Sequence, residues 1–331
     1  MRVALTEPVE PIGMQVLQQA GLEIVVGRGG SQSPDELRAL CRDADAVVVR
    51  QLLPPDLASC CPRLLIASRH GVGVDLIPVE DCTANGVVVS NVPGANADAV
   101  AEFVVAQMLA ASRNAQAMSA KLLGEGWLPA RAMSVRAFEL RGRTVGIVGV
   151  GAIGTRLAEI AHHGFRMKVL GHQRRPEALP GFVDYATLER LFSESDFVVL
   201  ACPLTPETRG LASAALIARM KPGAWLCNVS RGGTVDEPAL VAALQQGRIG
   251  GAALDVFAAQ PLAEGHPLRA LPNVVLSPHC AGISGESATR MSQVSAEEVV
   301  RVLRGEKPMN FINPEAWERH LARRASLGLR P

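Results

Sequence analysis

Short apolar runs alternate with helix-like stretches along most of the chain. In the first hundred residues the strand-like runs lie at 2–6, 22–27, 45–51, 64–69 and 87–92. A helical pattern over 33–44 separates two of them, with Ser33 as its N-cap and Pro34 in its first turn. Strands that are separated by helices predict βαβ units and a parallel sheet.

The pattern changes at Ala97. Residues 97–123 form one long helical stretch with apolar residues on most faces, which predicts a buried helix. An irregular connector is predicted for 124–143, and a second series of strand-like runs separated by helices begins at Thr144. The chain therefore contains two α/β segments in succession.

A last helix is predicted for 284–305, with Gly305 at its C-terminal end. The basic tail after it, 314–331, is predicted to be a solvated end. These patterns predict an α/β fold with two Rossmann- or flavodoxin-like parallel-sheet domains. The predicted Rossmann domain, 97–282, is inserted into a discontinuous domain that consists of 1–96 and 283–331.

Composition narrows the class of protein. The chain has 331 residues, a formal net charge of +1, 48% hydrophobic residues and 20% charged residues. This composition is typical of a soluble globular protein and gives no indication of a nucleic-acid or membrane partner. No signal peptide and no apolar run of about 18 residues is seen. Seven cysteines without CxxC spacing predict reduced thiols, a cytoplasmic location and no metal site.

A glycine-rich turn predicts a dinucleotide site. Residues 149–154 read Gly-Val-Gly-Ala-Ile-Gly, between a strand-like run at 144–148 and a helical stretch that ends near Gly164. In such a unit the glycines allow a tight turn, close approach of the pyrophosphate and close packing of helix on strand. The predicted cofactor-binding residues here are Gly149, Gly151, Ala152, Ile153 and Gly154.

The residues after the next strand indicate which dinucleotide binds. An acid about 20 residues beyond the glycines usually accepts hydrogen bonds from the ribose 2′-hydroxyl of NAD. That place is occupied by Gln173, followed by Arg174 and Arg175. A neutral amide and two guanidinium groups suit a 2′-phosphate. We therefore expect NADP(H) to be preferred, with NAD(H) possible if both arginines face water.

Two side chains in the second segment, one that can bind an anion and one that can transfer a proton, follow strand-like runs. Arg231 follows the run in "AWLCNVSR", and His279 follows the run in "VVLSPHC". Ligands bind at the carboxyl ends of parallel strands, where both residues are predicted to lie. A functional role is therefore favoured over a structural one for each.

Several motifs together resemble the D-isomer-specific 2-hydroxyacid dehydrogenases. They are "GIVGVGAIG", "NVSRGGTVDEPAL", "GGAALDVF", "SPHCAGIS" and "NVPGANADAVAEFVVAQML", and the resemblance covers about residues 40–312. It implies a split substrate domain, an inserted cofactor domain and a homodimer. It also implies hydride transfer between nicotinamide C4 and C2 of a small 2-oxo or 2-hydroxy acid of D stereochemistry.

The resemblance implies roles for individual residues. Arg231 would bind the substrate's carboxylate and carbonyl, and His279 would move the proton to or from the carbonyl oxygen. The substrate-side residues that it implies are Arg50, Arg69, Val72, Gly73 and Asn96. The N–H groups of Val72 and Gly73 would hold the carboxylate. Arg50 and Arg69 resemble basic contacts of the phosphoglycerate-oxidising branch, although either could be a surface residue.

The same resemblance extends the cofactor site. The residues that it places along the cofactor are Pro203, Thr208, Val229, Asp255 and Gly282. Asp255 matches an acid near the nicotinamide carboxamide. These residues come from four separate stretches of the second segment.

The chain departs from the family at one catalytic position. Most members have Glu before the proline in "DVFAAQP", where this chain has Gln260. A carboxylate beside a histidine raises its pKa by about 1–3 units, whereas an amide can only hydrogen-bond to the ring. We expect reduction to fall off at a lower pH than in relatives with Glu. Glu264 is a second carboxylate that could take that place.

Three function classes stay open from the sequence. The leading one is an NADP(H)-preferring reductase of a small 2-oxo acid such as glyoxylate or hydroxypyruvate, with a phosphoglycerate dehydrogenase-like activity as its nearest variant. A Gln–His pair is also the pattern of the formate dehydrogenase branch, since formate oxidation needs no proton transfer. A dinucleotide-sensing scaffold, like the corepressor relatives of the family, is compatible with Gln260 as well.

Overall fold

The computed structural model describes residues 1–30 and 32–329, with the backbone alone for Arg136. The chain divides into two compact units. Unit 1 comprises Met1–Asn96 and Ile283–Pro331, and unit 2 comprises Ala97–Gly282. Each unit contains one parallel β-sheet. No helix within the described ranges is long and apolar enough to cross a membrane.

The sheet of unit 1 has five strands in the order β2-β1-β3-β4-β5, and every pairing in it is parallel. The strands are β1 (Arg2–Leu5), β2 (Glu23–Val26), β3 (Ala46–Val49), β4 (Ile66–Arg69) and β5 (Val88–Ser90). With helices numbered along the whole chain, this unit contains α1 (Pro11–Gln19), α2 (Pro34–Cys41), α3 (Leu57–Cys60), α4 (Val79–Ala84), α12 (Gly285–Leu303) and α13 (Trp317–Ser326). A 3₁₀ turn, Pro314–Ala316, precedes α13.

Both faces of this sheet are buried, which accounts for its continuous apolar strands. Alternate residues of a strand point to opposite faces, so Val3 and Leu5 pack with Val299 of α12 on one side. Ala4 packs with Leu57 on the other side. Ser33 caps α2 in a capping box with Glu36, as the sequence pattern predicts for Ser33.

Two buried histidines belong to unit 1. The His70 Nε2 lies 2.8 Å from Ser292 Oγ of α12, and the His320 Nδ1 lies 3.2 Å from the carbonyl oxygen of Gly86. Burial lowers the pKa of each ring to about 4. Both rings are therefore neutral members of the packed interior at neutral pH.

The sheet of unit 2 has seven parallel strands in the order β12-β11-β10-β9-β6-β7-β8. The strands are β6 (Thr144–Val148), β7 (Lys168–His172), β8 (Asp184–Tyr185), β9 (Phe197–Leu200), β10 (Trp225–Asn228), β11 (Gly251–Leu254) and β12 (Val274–Leu276). Its helices are α5 (Ala97–Arg113), α6 (Ala115–Glu125), α7 (Trp127–Ala132), α8 (Ala152–Glu159), α9 (Leu188–Glu194), α10 (Ala214–Ile217) and α11 (Glu237–Gln245). A π-helical turn, Ile160–Gly164, continues α8, and 3₁₀ turns lie at Met133–Arg136, Pro176–Ala178, Gly232–Thr234 and Pro267–Ala270.

The strand orders confirm the predicted fold class, two parallel-sheet α/β units. In unit 2 the order reverses between β6 and β9, because the chain leaves β6 for β7 and β8 on one side and returns to β9 on the other. Ligands of doubly wound sheets bind outside the carboxyl ends of the strands at such a point. The glycine turn follows β6 and therefore lies at this reversal of strand order.

Three local predictions were wrong. The predicted single helix over 97–123 is two helices, broken at Asn114, whose φ is 54°. The side chains of α6 are exposed or half-buried, although the pattern predicts burial. Part of the predicted irregular connector is helical, as α7 and a 3₁₀ turn. Part of the predicted solvated tail is α13, which buries His320 and Arg324.

Candidate active site

In the turn between β6 and α8, two of the three glycines have no room for a side chain, and the third has room. Gly149 has a φ of 94°, and a Cβ there would lie 2.7 Å from the Cys202 Cα. A Cβ on Gly154 would lie 2.3 Å from the carbonyl oxygen of Gly149. A Cβ on Gly151 would meet nothing within 4 Å. Space is thus left at the start of α8, where helix N–H groups favour a pyrophosphate.

The segment after β7 presents positive charge beside the loop after β9. Arg174 and Arg175 are exposed, and Gln173 donates from Nε2 to the Arg175 carbonyl oxygen at 2.8 Å. The pKa of Glu207 is lowered, chiefly by a hydrogen bond from Thr205 and to a smaller extent by the charge of Arg174. The positive charge of Arg174 therefore acts on Glu207 of the 203–208 loop.

The loop after β9 is a tight turn. Thr208 donates from Oγ1 to the Pro203 carbonyl oxygen at 2.6 Å, and its Oγ1 accepts from the Thr205 N–H at 2.7 Å. Val229 directly follows the neighbouring strand β10, with its N–H bonded to the Leu200 carbonyl oxygen. The structure thus places Pro203, Thr208 and Val229 at the carboxyl edge on which the glycine turn lies.

Arg231 is held by a buried polar network after β10. The Arg231 carbonyl oxygen accepts from Asn228 Nδ2 at 3.0 Å and from Thr234 Oγ1 at 2.7 Å. Asn228 Oδ1 accepts in turn from the Ser230 N–H at 3.0 Å. These bonds fix the backbone from which the half-buried Arg231 side chain projects.

Asp255 fixes the segment that carries His279. Its carboxylate accepts from Ser277 Oγ at 2.7 Å, from the Cys280 N–H at 2.8 Å and from the Ala281 N–H at 2.9 Å. Its carbonyl oxygen accepts from the His279 N–H at 2.8 Å. His279 has a φ of 54°, a conformation that costs free energy outside glycine and that these bonds maintain.

His279 and Gln260 form a pair. The His279 Nδ1 lies 3.1 Å from Gln260 Oε1, so Nε2, on the other side of the ring, is directed away from the amide. Glu264, the alternative partner considered from the sequence, is exposed. The amide can fix the orientation of the ring but supplies no negative charge.

Arg231, Asp255 and His279 follow three neighbouring strands of the same sheet. They come after β10, β11 and β12, which lie side by side. Sequence reasoning predicted the strand-end position of Arg231 and His279. It did not predict that Asp255 anchors His279. It also did not predict that Asn228, Ser230 and Thr234 anchor Arg231, although the motif "NVSRGGT" contains all three of these polar side chains.

The predicted substrate-side residues all belong to unit 1. Arg50 follows β3, forms a 3.4 Å ion pair from Nε to Glu7 and donates from Nη1 to the Pro8 carbonyl oxygen. Arg69, at the end of the adjacent β4, donates to backbone carbonyl groups.

The other three substrate-side residues retain unused hydrogen-bonding groups. The N–H groups of Val72 and Gly73 have no acceptor in the described part of the chain. Asn96 Oδ1 is buried without a hydrogen-bond partner among residues 1–30 and 32–329. A buried oxygen without a partner is costly, and a bound ligand can provide the missing donor.

Comparison with known proteins identifies the class. Residues 105–281 match the family described as D-isomer specific 2-hydroxyacid dehydrogenase, NAD binding domain. The chain is 39% identical to the glyoxylate reductase of Aeropyrum pernix, over 95% of this chain and 96% of that protein. The chain therefore belongs to the D-isomer specific 2-hydroxyacid dehydrogenase family, which confirms the resemblance found in the sequence.

Solved structures agree. The TT0316 protein of Thermus thermophilus superposes with a TM-score of 0.87 at 35% identity, covering 94% of this chain and 100% of that one. The NADPH-dependent glyoxylate/hydroxypyruvate reductase of Sinorhizobium meliloti superposes with a TM-score of 0.81 at 30% identity, covering 95% and 98%. The protein is an NAD(P)-dependent oxidoreductase that acts on CH–OH groups.

Proposed function

We propose that the protein reduces a small 2-oxo acid, of the size of glyoxylate or hydroxypyruvate, to the D-2-hydroxy acid and prefers NADPH. The observation that carries the proposal is the delivery of Arg231, Asp255 and His279 to one sheet edge by neighbouring strands, in the unit that contains the dinucleotide turn. The activities for which the relatives are named, glyoxylate and hydroxypyruvate reduction, support this substrate class.

The residues divide the chemistry between them. The nicotinamide supplies the hydride when it is bound. Arg231 binds the substrate's carboxylate and carbonyl and stabilises the negative charge that develops on the carbonyl oxygen. His279 donates the proton to that oxygen and takes it back in the reverse direction. Asp255 keeps His279 in place through the four hydrogen bonds described above.

Unit 1 contributes the groups that bind the substrate's carboxylate. The N–H groups of Val72 and Gly73 are free to donate to an anion, and Asn96 Oδ1 is free to accept from a donor, as far as the described residues extend. These groups orient a 2-oxo acid by its polar end. Pro203, Thr208, Val229 and Gly282 are assigned to the cofactor.

The NADPH preference rests on charge. The segment after β7 has Gln173 where an acid would repel a 2′-phosphate, and the exposed Arg174 and Arg175 follow it. Arginine binds phosphate through two parallel hydrogen bonds. NAD(H) is expected to bind more weakly because its ribose lacks the group that the arginines recognise.

Oxidation of NADPH and NADH, measured side by side with glyoxylate and hydroxypyruvate, tests the proposal. We expect turnover of at least one acid, with kcat/KM for NADPH at least about tenfold above that for NADH, since one charge-assisted hydrogen bond accounts for that ratio. Chiral analysis of the product checks the D configuration. Absence of turnover with both acids would contradict the assigned substrate class.

Formate oxidation is the second candidate, and the pairing of Gln260 with His279 favours it. Formate loses a hydride to the nicotinamide and leaves carbon dioxide, so no group has to donate or accept a proton. Incubation of the protein with formate and NAD⁺ or NADP⁺ distinguishes the two candidates. Reduction of either cofactor by formate, without turnover of 2-oxo acids, would favour this candidate.

Replacement of Gln260 by glutamate is expected to shift the pH dependence of reduction. A carboxylate at Oε1, 3.1 Å from Nδ1 in the present pair, favours imidazolium and raises the pKa of His279 by about 1–3 units. Because reduction uses imidazolium, kcat/KM of Gln260→Glu stays high to a correspondingly higher pH. The basic limb of the pH–rate profile measures this, with Gln260→Asn as the uncharged control. An unmoved limb would show that His279 is not the titrating group.

A second copy of the chain is the proposed partner. Six of the twelve large apolar side chains that are exposed in the described part of the chain lie between 109 and 135, on and around α6 and α7: Leu109, Leu122, Leu123, Trp127, Leu128 and Val135. A concentrated apolar surface of this kind marks an interface. Light scattering after size exclusion is expected to give a dimer, and Leu123→Glu with Leu128→Glu is expected to weaken it.

A further inference from the structure

The loop that follows β4 directs its carbonyl groups toward donors of unit 1. The carbonyl oxygens of residues 70–73 all accept hydrogen bonds, two of them from Arg69, one from the Val92 N–H and one from Asn91 Nδ2. The distances are 2.8 Å at His70, 2.9 Å at Gly71, 2.7 Å at Val72 and 3.0 Å at Gly73. Four consecutive carbonyl groups are thus held on the protein side.

This arrangement determines where the N–H groups point. In a trans peptide the carbonyl of one residue and the N–H of the next point in opposite directions. Bonding of the Gly71 and Val72 carbonyl groups therefore turns the N–H groups of Val72 and Gly73 away from those donors. Consecutive N–H groups without an acceptor form a concavity that binds anions.

Arg69 ties this loop to the sheet. Its Nη1 donates to the Val49 carbonyl oxygen at the end of β3, at 2.7 Å, as well as to His70. Its Nε donates to Gly73, at the other end of the loop. The guanidinium lies against Gly71, where a Cβ would be 3.2 Å from Cζ. The half-buried side chain thus fills the inside of the turn that it bonds.

We infer that Arg69, together with Asn91, is a positioning residue for the carboxylate of the substrate. It acts through the N–H groups of Val72 and Gly73 and makes no contact with a second anionic group at the far end of the substrate. This inference rests on the proposed function and narrows it, because it requires no phosphate or second carboxylate on the 2-oxo acid.

The geometry requires arginine in particular. The three bonded N–H groups diverge from one planar fork toward acceptors at residues 49, 70 and 73. Lysine keeps the positive charge but has a single nitrogen on a flexible stem, so it cannot connect both ends of the loop to β3. A charge-keeping substitution therefore separates positioning from direct electrostatic binding.

The test compares Arg69→Lys, Arg69→Met and Asn91→Ala with wild type on glyoxylate, hydroxypyruvate and 3-phosphohydroxypyruvate. Both Arg69 variants are expected to raise KM by about tenfold or more for all three acids alike, with a smaller change in kcat and an unchanged KM for NADPH. Asn91→Ala is expected to raise KM in the same uniform pattern. Arg42→Met, which removes an exposed positive charge elsewhere in unit 1, is the control and is expected to match wild type.

Hydrogen exchange gives a readout that needs no turnover. The amide of Val92, which is bonded to Gly71, and the amide of His70, which is bonded to Val49, are expected to exchange faster in the Arg69 variants. If the wild type reduces no 2-oxo acid, the proposed function is wrong. The exchange rates of these two amides would still test whether Arg69 holds the loop. If Arg69→Met does not fold, Asn91→Ala and Arg69→Lys provide the test.

Two results would overturn the inference. One is a loss confined to 3-phosphohydroxypyruvate in Arg69→Met, with Arg69→Lys close to wild type, because direct contact with the phosphate predicts that pattern. The other is an unchanged KM in every Arg69 and Asn91 variant, together with unchanged exchange at Val92.

Discussion

Replacement of His279 by alanine is expected to lower kcat for reduction of a 2-oxo acid by about 10²- to 10⁴-fold, the usual contribution of a positioned general acid. Water must then protonate the carbonyl oxygen. The imidazole is exposed, and its backbone is held by Asp255 rather than by the ring, so the fold of unit 2 should survive the substitution. Affinity for NADPH should change little.

Steady-state kinetics with glyoxylate or hydroxypyruvate measures the loss, and NADPH fluorescence titration measures cofactor binding. His163→Ala is the matched control, since His163 is an exposed histidine of the same unit in the π-helical turn after α8. The basic limb of the pH–rate profile should disappear in His279→Ala and stay in the control. A loss of less than tenfold in kcat would assign the proton transfer to another group.

Removal of both guanidinium groups after β7, as Arg174→Ser with Arg175→Ser, is expected to lower kcat/KM for NADPH by about 100-fold. Charge-assisted hydrogen bonds to the 2′-phosphate contribute about 1.5–3 kcal/mol each, and a total near 3 kcal/mol corresponds to that factor. NADH has no 2′-phosphate, so its kcat/KM should stay within about threefold. The double variant should therefore lose the preference rather than the activity.

Initial rates over a range of each cofactor concentration, at saturating 2-oxo acid, give the two kcat/KM values. Arg219→Ser removes an exposed arginine of the same unit and serves as the control for net charge. Added salt should lower kcat/KM for NADPH in the wild type, because ions screen the exposed pairs between arginine and phosphate. The difference in kcat/KM between the wild type and the double variant should therefore shrink as salt is added. Equal losses of kcat/KM for NADPH and NADH would mean that the arginines support the fold of the loop and do not recognise the 2′-phosphate.

Hydrophobic periodicity was sufficient to predict the fold class. Strands that are buried on both faces have continuous apolar sequences. The glycine turn indicates the first βαβ segment of the second sheet. Periodicity failed where tertiary context decided the outcome. The stretch through Asn114 keeps its helical pattern while a left-handed residue breaks it, and the apolar face of α6 is exposed in the chain taken alone. The basic tail around Arg324 buries its guanidinium against carbonyl groups of α12.

The candidate site was predictable where chemistry coincides with a strand end. Arg231 and His279 stand three residues after their strands, at the edge where ligands bind. The bonds that hold them were not predictable, because Asp255 and Asn228 act through turn conformations that have no sequence period. Arg69 shows the same limit. The family resemblance implies that Arg69 contacts the substrate, and the bonds from Arg69 to three carbonyl groups were not predictable from the sequence.

The two neutral histidines of unit 1 have a consequence for acid stability. Burial lowers the pKa of His70 and His320 to about 4, whereas an unfolded chain would protonate them near the ordinary value of 6.5. Their contribution to folding is complete above pH 6.5 and is lost as the pH falls toward 4, by up to about 3 kcal/mol for each ring. In the proposed mechanism, acid also favours proton donation by His279 and thus the reduction step. Activity that declines on acidification should therefore follow the melting of unit 1, and the acid limit of the enzyme would be set by folding rather than by catalysis.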